Sequence, residues 1–363
     1  MAAPKTTTWP LEPHTRAKHE ILRRYLHAWA AILGSGRFPM ILYVDGFAGP
    51  GRYSTGEDGS PVIALNAALA HANRLTSEVR FQFMERNPER AEMLRQVVSG
   101  MQLPDNFGVR VTSGSFESDM NEILAWCRGR GQALPPTFAF IDPFGWTGIP
   151  FDLIRKILAN RSCEVLVNFM YEEINRFLGH PDQERNLDQL FGTPDWRELV
   201  LLKGKAERRL AIHSLYQKQL GSAARYVRSF EMRNDKDVTD YFLFFATNNV
   251  TGLRKMKEAM WGVDQSGEFT FSDATDPKQL LMFGKPDLGV LRRHIVAKFG
   301  GRETTVGTVE NFVVEETAFR ETHYKGVLKE LELGVPTQLV PVNAPGKRKR
   351  GTFADKRMRI KFM

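Results

Sequence analysis

Helical and extended patterns alternate through the first two thirds of the chain. Leu22, Leu26, Trp29 and Leu33 recur at spacings of three and four residues, which predicts an amphipathic helix over residues 15–33. The apolar run that follows ends at Asp45 and leads into glycines, as expected of a buried strand before a tight turn. The same alternation then continues, with predicted strands at 40–45, 79–85, 109–115, 137–142 and 164–169 and predicted helices at 88–98, 117–128 and 151–158.

The order of these segments predicts the fold class. Strands that alternate with helices form βαβ units, whose right-handed crossovers produce a mostly parallel sheet. Residues 171–225 are polar and helical, and they interrupt the alternation as an insertion. Two more strands, at 226–232 and 241–246, close the pattern before a helix at 251–261. We therefore expect an α/β, Rossmann-like domain over residues 1–270.

The last part of the chain has a different organisation. Residues 264–286 are rich in Asp, Ser, Gly and Pro, and within them we place a linker at 271–286. Three short helical patterns, at 288–299, 306–314 and 319–331, precede two extended segments at 338–343 and 352–362. Three helices followed by a hairpin are typical of a winged helix, so we expect one over residues 287–363.

Positive charge is concentrated at this end of the chain. The net charge of the 363 residues is +8, and residues 347–363 alone contain eight basic residues and one acidic residue. Such clustering favours a polyanionic partner such as nucleic acid, although a solvated tail has the same composition. In a winged helix the third helix enters a groove and the wing meets phosphates. The candidate nucleic-acid-binding residues are His323, Lys325 and Lys329 on the third helix and Lys347, Arg348, Lys349 and Arg350 at the wing tip.

Composition excludes several classes of protein. No apolar run approaches the ~20 residues that a membrane-spanning helix needs, so we expect no membrane partner. The first residues also lack the apolar core of a signal peptide. The two cysteines, Cys127 and Cys163, stand alone, which excludes a disulfide framework and a cysteine-based zinc site. With no compact group of acids and histidines for metal ions, the sequence predicts a metal-free protein of the reducing cytoplasm.

The ends of the predicted strands carry the candidate chemistry. In open α/β sheets the ligand crevice lies beyond the carboxyl ends of the strands. The first strand ends in the segment Asp45–Gly51 (DGFAGPG), whose glycines let a ligand approach the backbone closely. The second strand ends at Glu85, a carboxylate that can accept hydrogen bonds from both hydroxyls of a ribose. No lysine follows the glycines, which argues against a P-loop.

Two further strand ends extend this pattern. The pair Ser115–Phe116 follows the third strand, and Asp142 and Pro143 follow the fourth. The Asp-Pro pair fixes a carboxylate and a free carbonyl group in a stiff turn, and together these can accept both hydrogens of an amino group. The ring of Phe144 or of Trp146 can stack on a flat ligand.

The residues at these strand ends resemble those of a known class of enzyme. Their order resembles class I S-adenosylmethionine-dependent methyltransferases, and the two closing strands fit the seven-stranded sheet of that fold. More closely, the segments Tyr43–Tyr53 (YVDGFAGPGRY), Gly59–Leu65 (GSPVIAL) and Phe140–Gly145 (FIDPFG) resemble the three-Cys-motif partner family, TcmP. These are bacterial and phage proteins whose genes lie beside that of a three-Cys-motif protein. The resemblance covers about residues 15–261.

The resemblance implies a role for each matching residue. Asp142, Pro143 and Phe144 match the Asp-Pro-Pro-aromatic motif of amino-methyltransferases and would be catalytic. Phe144 stands where that motif has its second proline, and Gly145 stands where it has its aromatic residue. Lys18 would reach the cofactor carboxylate if the first helix covers the crevice. The implied cofactor-binding residues are Asp45, Gly46, Phe47, Gly49 and Gly51 around the methionine part, Glu85 with Arg86 at the ribose, and Ser115 and Phe116 at the adenine.

One hypothesis combines these expectations. The chain is predicted to be a methyltransferase that uses S-adenosylmethionine to modify an amino group of a nucleic-acid base, with DNA slightly favoured over RNA. Two alternatives stay open. One is a non-catalytic nucleic-acid-binding partner of a three-Cys-motif protein, and the other is a repair or nuclease-associated factor on the same scaffold.

Overall fold

The structure, a computed structural model, describes residues 6–265, 269–272, 287–343 and 348–363. The described residues divide into two compact units. The first unit contains the residues through Val263 together with Thr270–Ser272, and the second contains residues 264–265 and 269 together with those from 287 onwards. Most of the predicted linker, 273–286, and the predicted wing residue Lys347 lie outside the described residues.

One sheet of eight strands forms the centre of the first unit, one strand more than the seven that the resemblance implied. The strands are β1 (Met40–Asp45), β2 (Glu78–Met84), β3 (Phe107–Thr112), β4 (Thr137–Ile141), β5 (Glu164–Phe169), β6 (Tyr226–Arg233), β7 (Thr239–Thr247) and β8 (Thr270–Ser272). Their spatial order is β3-β2-β1-β4-β5-β7-β6-β8, and only β7 runs antiparallel to its neighbours. The order 3-2-1-4-5 is that of a doubly wound sheet, which confirms the predicted α/β, Rossmann-like class.

Helices cover both faces of this sheet. They are α1 (Pro13–Leu33), α2 (Ser60–Leu69), α3 (Pro88–Ser99), α4 (Phe116–Gly129), α5 (Phe151–Leu158), α6 (Tyr171–Phe177), α7 (Glu184–Phe191), α8 (Trp196–Leu199), α9 (Lys205–Ala223) and α10 (Val250–Trp261), with 3₁₀ turns at Ala72–Arg74 and Pro181–Gln183. Helix α1 packs on α2 and α10, while α5 packs on α4, α7 and α9. Every residue of β4, β5 and β7 is buried, as expected of strands covered on both sides.

The topology places the carboxyl ends of β1, β2, β4 and β5 side by side. Strand β1 pairs in parallel with both β2 and β4, and β4 pairs in parallel with β5. The chain order reverses at β1 and β4, which is where open α/β sheets form their ligand crevice. The polar residues that follow these four strands are therefore brought together at one edge.

Two elements of the first unit depart from the sequence pattern. Helix α2 has no polar face, because eight of its ten residues are buried, and so it lacks the periodicity that marked the other helices. Strand β8 pairs in parallel with β6 and includes Phe271 and Ser272, which the sequence assigned to the linker. The apolar ring of Phe271 is buried, which explains why this short stretch joins the sheet.

The second unit combines three helices with a small sheet. Its elements are α11 (Leu288–Phe299), β9 (Glu303–Thr305), α12 (Val306–Glu316), α13 (His323–Leu333), β10 (Leu339–Pro341) and β11 (Arg359–Phe362). The antiparallel sheet has the order β10-β11-β9, so the predicted hairpin is shorter than expected and is joined by a third strand. The third helix begins at His323 and not at residue 319. The reason is local: the Phe319 N–H donates to the Thr317 hydroxyl in a turn that buries the Phe319 ring.

The helices and the two cysteines bear on the predictions about membrane spans and disulfides. Among them, no helix is both long and apolar enough to cross a membrane. Cys127 and Cys163 are both buried free thiols. Burial raises the pKa of the Cys163 thiol to about 12, which fits an inert packing residue.

Candidate functional site

The loop that follows β1 depends on its glycines. Gly49 and Gly51 have φ angles of 65° and 85°, in the left-handed region that favours glycine. A Cβ atom on Gly46 would lie 2.7 Å from the ring of Phe116, the first residue of α4. Any side chain at position 46 would therefore displace Phe116, and the loop can follow this path only with these residues.

Asp45 supports this loop from behind. Its carboxylate is fully buried, accepts a hydrogen bond from the Phe47 N–H at 3.2 Å and accepts another from the Tyr43 hydroxyl at 3.3 Å. Burial raises the pKa of Asp45 to about 7. Asp45 lines neither of the two cavities described below, which differs from the expectation that it would bind the cofactor directly.

Glu85 joins the end of β2 to the glycine loop. Its Oε2 atom accepts a hydrogen bond from the Gly49 N–H at 2.9 Å, and its Oε1 atom accepts one from the Asn87 N–H at 2.7 Å. The side chain is almost buried, yet it lines a cavity. Because each carboxylate oxygen can accept two hydrogen bonds, both retain an acceptor position for a ligand.

Two adjoining cavities lie at this edge of the sheet. The first, of about 620 Å³, is lined by most of the residues predicted to bind the cofactor: Gly46, Phe47, Glu85, Arg86, Ser115 and Phe116. The second, of about 220 Å³, is lined by Gly49, Gly51, Asp142 and Pro143 among others. Phe47 and Phe144 line both cavities and so form their common wall. Ser115 also caps α4, since its hydroxyl accepts from the Ser118 N–H at 3.1 Å.

Asp142 lies in the second cavity between two polar partners. The Lys18 ammonium is 2.6 Å from Oδ2 of Asp142, and both side chains are largely buried. The Asn168 amide, at the end of β5, donates to Oδ1 of Asp142 at 2.6 Å. The sequence suggested a cofactor carboxylate as the partner of Lys18, whereas the structure shows it paired with Asp142.

The turn after Asp142 explains the departure from the Asp-Pro-Pro-aromatic motif. Gly145 has a φ angle of 92°, and a Cβ atom there would lie 3.4 Å from a carboxylate oxygen of Glu173. An aromatic residue at position 145 would thus be strained and crowded. Trp146 is buried against Phe177, with ring centroids 6.2 Å apart, so of the two predicted stacking rings only Phe144 reaches the cavities.

A tryptophan from the N-terminal segment completes the aromatic wall. Trp9 lines the second cavity and lies edge-to-face with Phe144, at a centroid distance of 5.0 Å, and with Tyr53, at 6.0 Å. Its carbonyl oxygen accepts from the Ser54 N–H at 2.9 Å. The Arg90 guanidinium lies 4.9 Å from the Trp9 ring and 5.6 Å from the Phe144 ring.

Several of these residues were missed by the sequence analysis. Asn168 was detectable, because it is a polar residue at the end of an apolar strand, like Asp45 and Glu85. His19 lines the second cavity with its Nδ1 atom buried and without a hydrogen-bond partner among the described residues. Burial lowers the pKa of His19 to about 3, so the ring is neutral. Trp9 carried no local signal, since only the folded chain brings it to the cavity.

The basic residues of the second unit fall into two groups. Arg348, predicted at the tip of a wing, has a side chain that is only 10% exposed and donates to both carboxylate oxygens of Glu332 on α13, at 2.7 Å for Nη1. Its guanidinium also lies 4.8 Å from the Phe353 ring. This differs from the expectation that Arg348 would be a free cation, because the buried Glu332 carboxylate requires a partner.

The other basic residues are more accessible. Lys325, Lys329 and Lys349 are exposed, and exposed Arg350 donates to the Glu332 carbonyl oxygen at 3.1 Å. His323 is half-buried, and its Nδ1 atom accepts from the Arg320 N–H at 3.3 Å. Within the described part of the chain, no group of His, Cys, Asp and Glu residues could hold a metal ion.

Comparisons with known proteins concern the fold alone. No protein-family model and no curated protein sequence matches the chain. A Legionella pneumophila protein of family DUF519 is 15% identical over 63% of this chain and 84% of its own, with a TM-score of 0.36. Trm1 from Pyrococcus horikoshii, solved with S-adenosyl-L-methionine, is 12% identical over 74% of this chain and 65% of its own, with a TM-score of 0.35. Human methyltransferase-like protein 13, solved with SAH, is 10% identical over 78% of this chain and all of its own, with a TM-score of 0.35.

Proposed function

We propose that the first unit binds S-adenosylmethionine and transfers its methyl group to an amino group of a nucleic-acid base, with DNA slightly favoured over RNA. The observation that carries this proposal is the pair of cavities at the carboxyl edge of the sheet. One cavity is lined by a glycine loop and an acid at the end of β2, and the other by an Asp-Pro-aromatic turn. The shared wall of Phe47 and Phe144 makes them adjoining halves of one site.

The residues of the first cavity fit the proposed cofactor. Glu85 retains acceptor positions for two hydroxyl groups, although its carboxylate is already held by two backbone N–H groups. Phe116 and Phe47 lie 6.1 Å apart and offer apolar surface for a flat ring. S-adenosylmethionine supplies an electrophilic methyl group on a sulfonium, so positioning of the acceptor provides most of the catalysis.

The residues of the second cavity would position the acceptor. Asp142 would accept a hydrogen bond from the attacking amine and stabilise the positive charge that develops on its nitrogen. The nitrogen–methyl bond would form as the methyl–sulfur bond breaks, S-adenosylhomocysteine would leave, and the methylated nitrogen would then lose one proton to water. Lys18 and Asn168 hold the Asp142 carboxylate in place from two sides. Pro143 stiffens the turn, and Phe144 offers a ring to the base. A base in a duplex would have to flip out to reach this position.

The second unit would hold the nucleic acid. We propose that it is a winged helix whose exposed Lys325 and Lys329 approach a groove of the nucleic acid and whose exposed Lys349 and Arg350 contact phosphates. The resemblance to the TcmP family further suggests a three-Cys-motif protein as a partner. One observation favours the non-catalytic alternative: both oxygens of Asp142 already have partners within the protein.

Calorimetric titration with S-adenosylhomocysteine tests the cofactor assignment. We expect micromolar affinity, or about −8 kcal/mol. Glu85→Ala should weaken binding by ~1.5–3 kcal/mol, because it removes a charged acceptor. Gly49→Val should also weaken it, since the Gly49 N–H holds the Glu85 carboxylate and valine is strained at the positive φ angle of position 49. Unchanged binding in both variants would place the cofactor elsewhere.

Transfer of labelled methyl groups into DNA, RNA and protein pools tests the reaction. Asp142→Ala should abolish transfer and leave the affinity for S-adenosylhomocysteine within about tenfold, because Asp142 lies in the acceptor cavity. Asp152→Ala is a matched control, since Asp152 also pairs with a lysine, Lys156, but on the exposed surface of α5. If the wild type binds the cofactor and labels none of the pools, the non-catalytic alternative is favoured.

A further inference from the structure

We propose that Lys18 is a specificity-determining residue of the second cavity. It would select acceptors in which the ring atom beside the amino group on the base-pairing edge is an unprotonated nitrogen, as in adenine and cytosine. This inference rests on the proposed function, and it deepens it by naming the edge of the base that the cavity accepts.

Lys18 presents a buried donor beside Asp142. It lies on α1, is 5% exposed and lines the second cavity, with its Nζ atom 2.6 Å from Oδ2 of Asp142. The Tyr241 ring, 5.3 Å away, packs against the same ammonium. An ammonium has three N–H groups, and the ion pair with Asp142 can occupy only some of them. Since a buried N–H without an acceptor is costly, the remaining donors favour a ligand that offers one.

Asn168 presents an acceptor on the other side of Asp142. Its Nδ2 atom donates to Oδ1 of Asp142 at 2.6 Å, which fixes the orientation of the amide because a carboxylate only accepts. Its Oδ1 atom is buried and accepts no hydrogen bond from any described residue. Asn168 lines the second cavity, so the Asp142–Asn168 pair offers oxygen acceptors to an amino group there.

The oxygens of Asp142 and Asn168 are hydrogen-bond acceptors, and the Lys18 ammonium beside them is a donor. An amino group that donates to Asp142 and Asn168 would place the neighbouring ring atom towards Lys18. In adenine and cytosine that atom is an unprotonated nitrogen, which accepts from the ammonium. In guanine the ring atom beside the amino group on the pairing edge is an N–H group, which would face the ammonium donor to donor and leave both unpaired. The other ring neighbour, N3 of guanine, is unprotonated but lies on the edge beside the sugar. An aliphatic amine has no neighbouring acceptor and gains nothing from Lys18.

Binding of short oligonucleotides tests this pattern without requiring turnover. The probe is a fluorescent single strand of eleven nucleotides, all thymine except for the central base. The central base is thymine, adenine, cytosine, guanine, 1-deazaadenine or 7-deazaadenine. The first deaza analogue replaces the ring nitrogen that would face Lys18, and the second replaces a nitrogen on the opposite edge. Anisotropy is measured at saturating S-adenosylhomocysteine, which keeps the probes out of the first cavity, and repeated with ribonucleotides on a uracil background.

We expect central adenine to bind more tightly than central thymine. The 1-deaza replacement should lower the affinity roughly tenfold, or to that of central thymine, because it removes a hydrogen bond to a charged donor. The 7-deaza replacement should change the affinity by less than about twofold. Guanine should bind like thymine. Whether cytosine binds like adenine shows which base fits the cavity. Equal losses from the two deaza analogues, or equal affinities for all central bases on both backgrounds, would overturn the inference.

Lys18→Met assigns the effect to this residue. The variant should bind adenine and 1-deazaadenine equally, whereas Lys156→Met, which removes a surface lysine from the Asp152 pair, should keep the difference. If Lys18→Met instead lowers the affinity for S-adenosylhomocysteine and keeps the 1-deaza difference, Lys18 serves the cofactor and the inference is wrong. Should the variant fail to fold, the analogue series on the wild type still decides. Methyl transfer is assayed separately, so edge-selective binding without transfer would contradict the proposed function and leave this inference supported.

Discussion

At the scale of single residues, Glu164 makes the stability of the first unit depend on pH. Its buried carboxylate accepts hydrogen bonds from the Tyr25 hydroxyl and, at 2.7 Å, from the Thr247 hydroxyl. Burial raises the pKa of Glu164 to about 7, from an ordinary value of 4.5. The folded state thus binds this proton more tightly than the unfolded chain. The contribution of Glu164 to stability must decline as the pH rises from about 4.5 through about 7.

Glu164→Gln tests this linkage. Glutamine is neutral at every pH and keeps an oxygen acceptor, so the variant should gain stability relative to the wild type as the pH rises. Between pH 5 and pH 8 we expect that difference to change by about 2–3 kcal/mol in guanidinium unfolding. Glu122→Gln, on the exposed surface of α4, is the control and should give a difference that does not depend on pH. The same flat response from Glu164→Gln would contradict the assignment.

The sequence was enough to identify some site residues, but it did not reveal which side chains pair with one another. Glu85 and Asp142 were identified because each follows an apolar strand, and parallel strands bring their carboxyl ends to one edge. The carboxylate that pairs with Lys18 was misassigned to the cofactor, because Lys18 and Asp142 are far apart in the chain and only the fold brings them together. Arg348 was expected to be free at a wing tip. Its partner, the buried Glu332, lies on a different element, and no residue next to Arg348 in the sequence indicates this ion pair. Such pairs are decided by packing between distant segments.

At the scale of elements, the turn at residues 348–351 is fastened to α13 by one ion pair. The Arg348 and Glu332 side chains are 10% and 4% exposed, and the Gly351 N–H also donates to Glu332 at 2.7 Å. Arg348→Ala would leave the Glu332 carboxylate buried without its cation. We expect the second unit to lose about 3 kcal/mol of stability. Arg357→Ala, which removes an exposed arginine nearby, should cost less than about 0.5 kcal/mol in the same unfolding measurement.

Helices and strands were predicted correctly where they have one clearly apolar face or an apolar run in the sequence. The bounds of α5 and β5 agree with prediction, because α5 has a sharp apolar face and β5 is an apolar run of typical strand length. Helix α2 escaped prediction, since a helix buried all round has no periodic contrast. The start of α13 was misplaced because the Thr317 side chain stabilises a competing turn.

At the scale of the whole molecule, charge separates the second unit from the first. If exposed lysines of the second unit contact phosphates, each contact releases counterions and adds about −0.9 to the log–log salt slope on duplex DNA. Replacing Lys325, Lys329 and Lys349 by Ala should therefore flatten that slope by roughly one to three units. Replacing Lys203, Lys205 and Lys218, which are exposed in the first unit, makes the same change in net charge. Equal slopes for the two triple variants, by anisotropy on one duplex, would contradict nucleic-acid binding by the second unit.

The shared wall of Phe47 and Phe144 has a thermodynamic consequence. If each cavity holds its proposed ligand, a ring that lines both cannot adjust to one ligand without altering the site of the other, so we expect the two binding equilibria to be linked. Linkage is reciprocal: whatever factor S-adenosylhomocysteine applies to the affinity for an oligonucleotide, the oligonucleotide must apply to S-adenosylhomocysteine. Titrations of each ligand with and without the other should therefore give the same factor, and Phe144→Leu should move that factor towards one. The aromatic wall would then act as the element through which the occupancy of one cavity is communicated to the other.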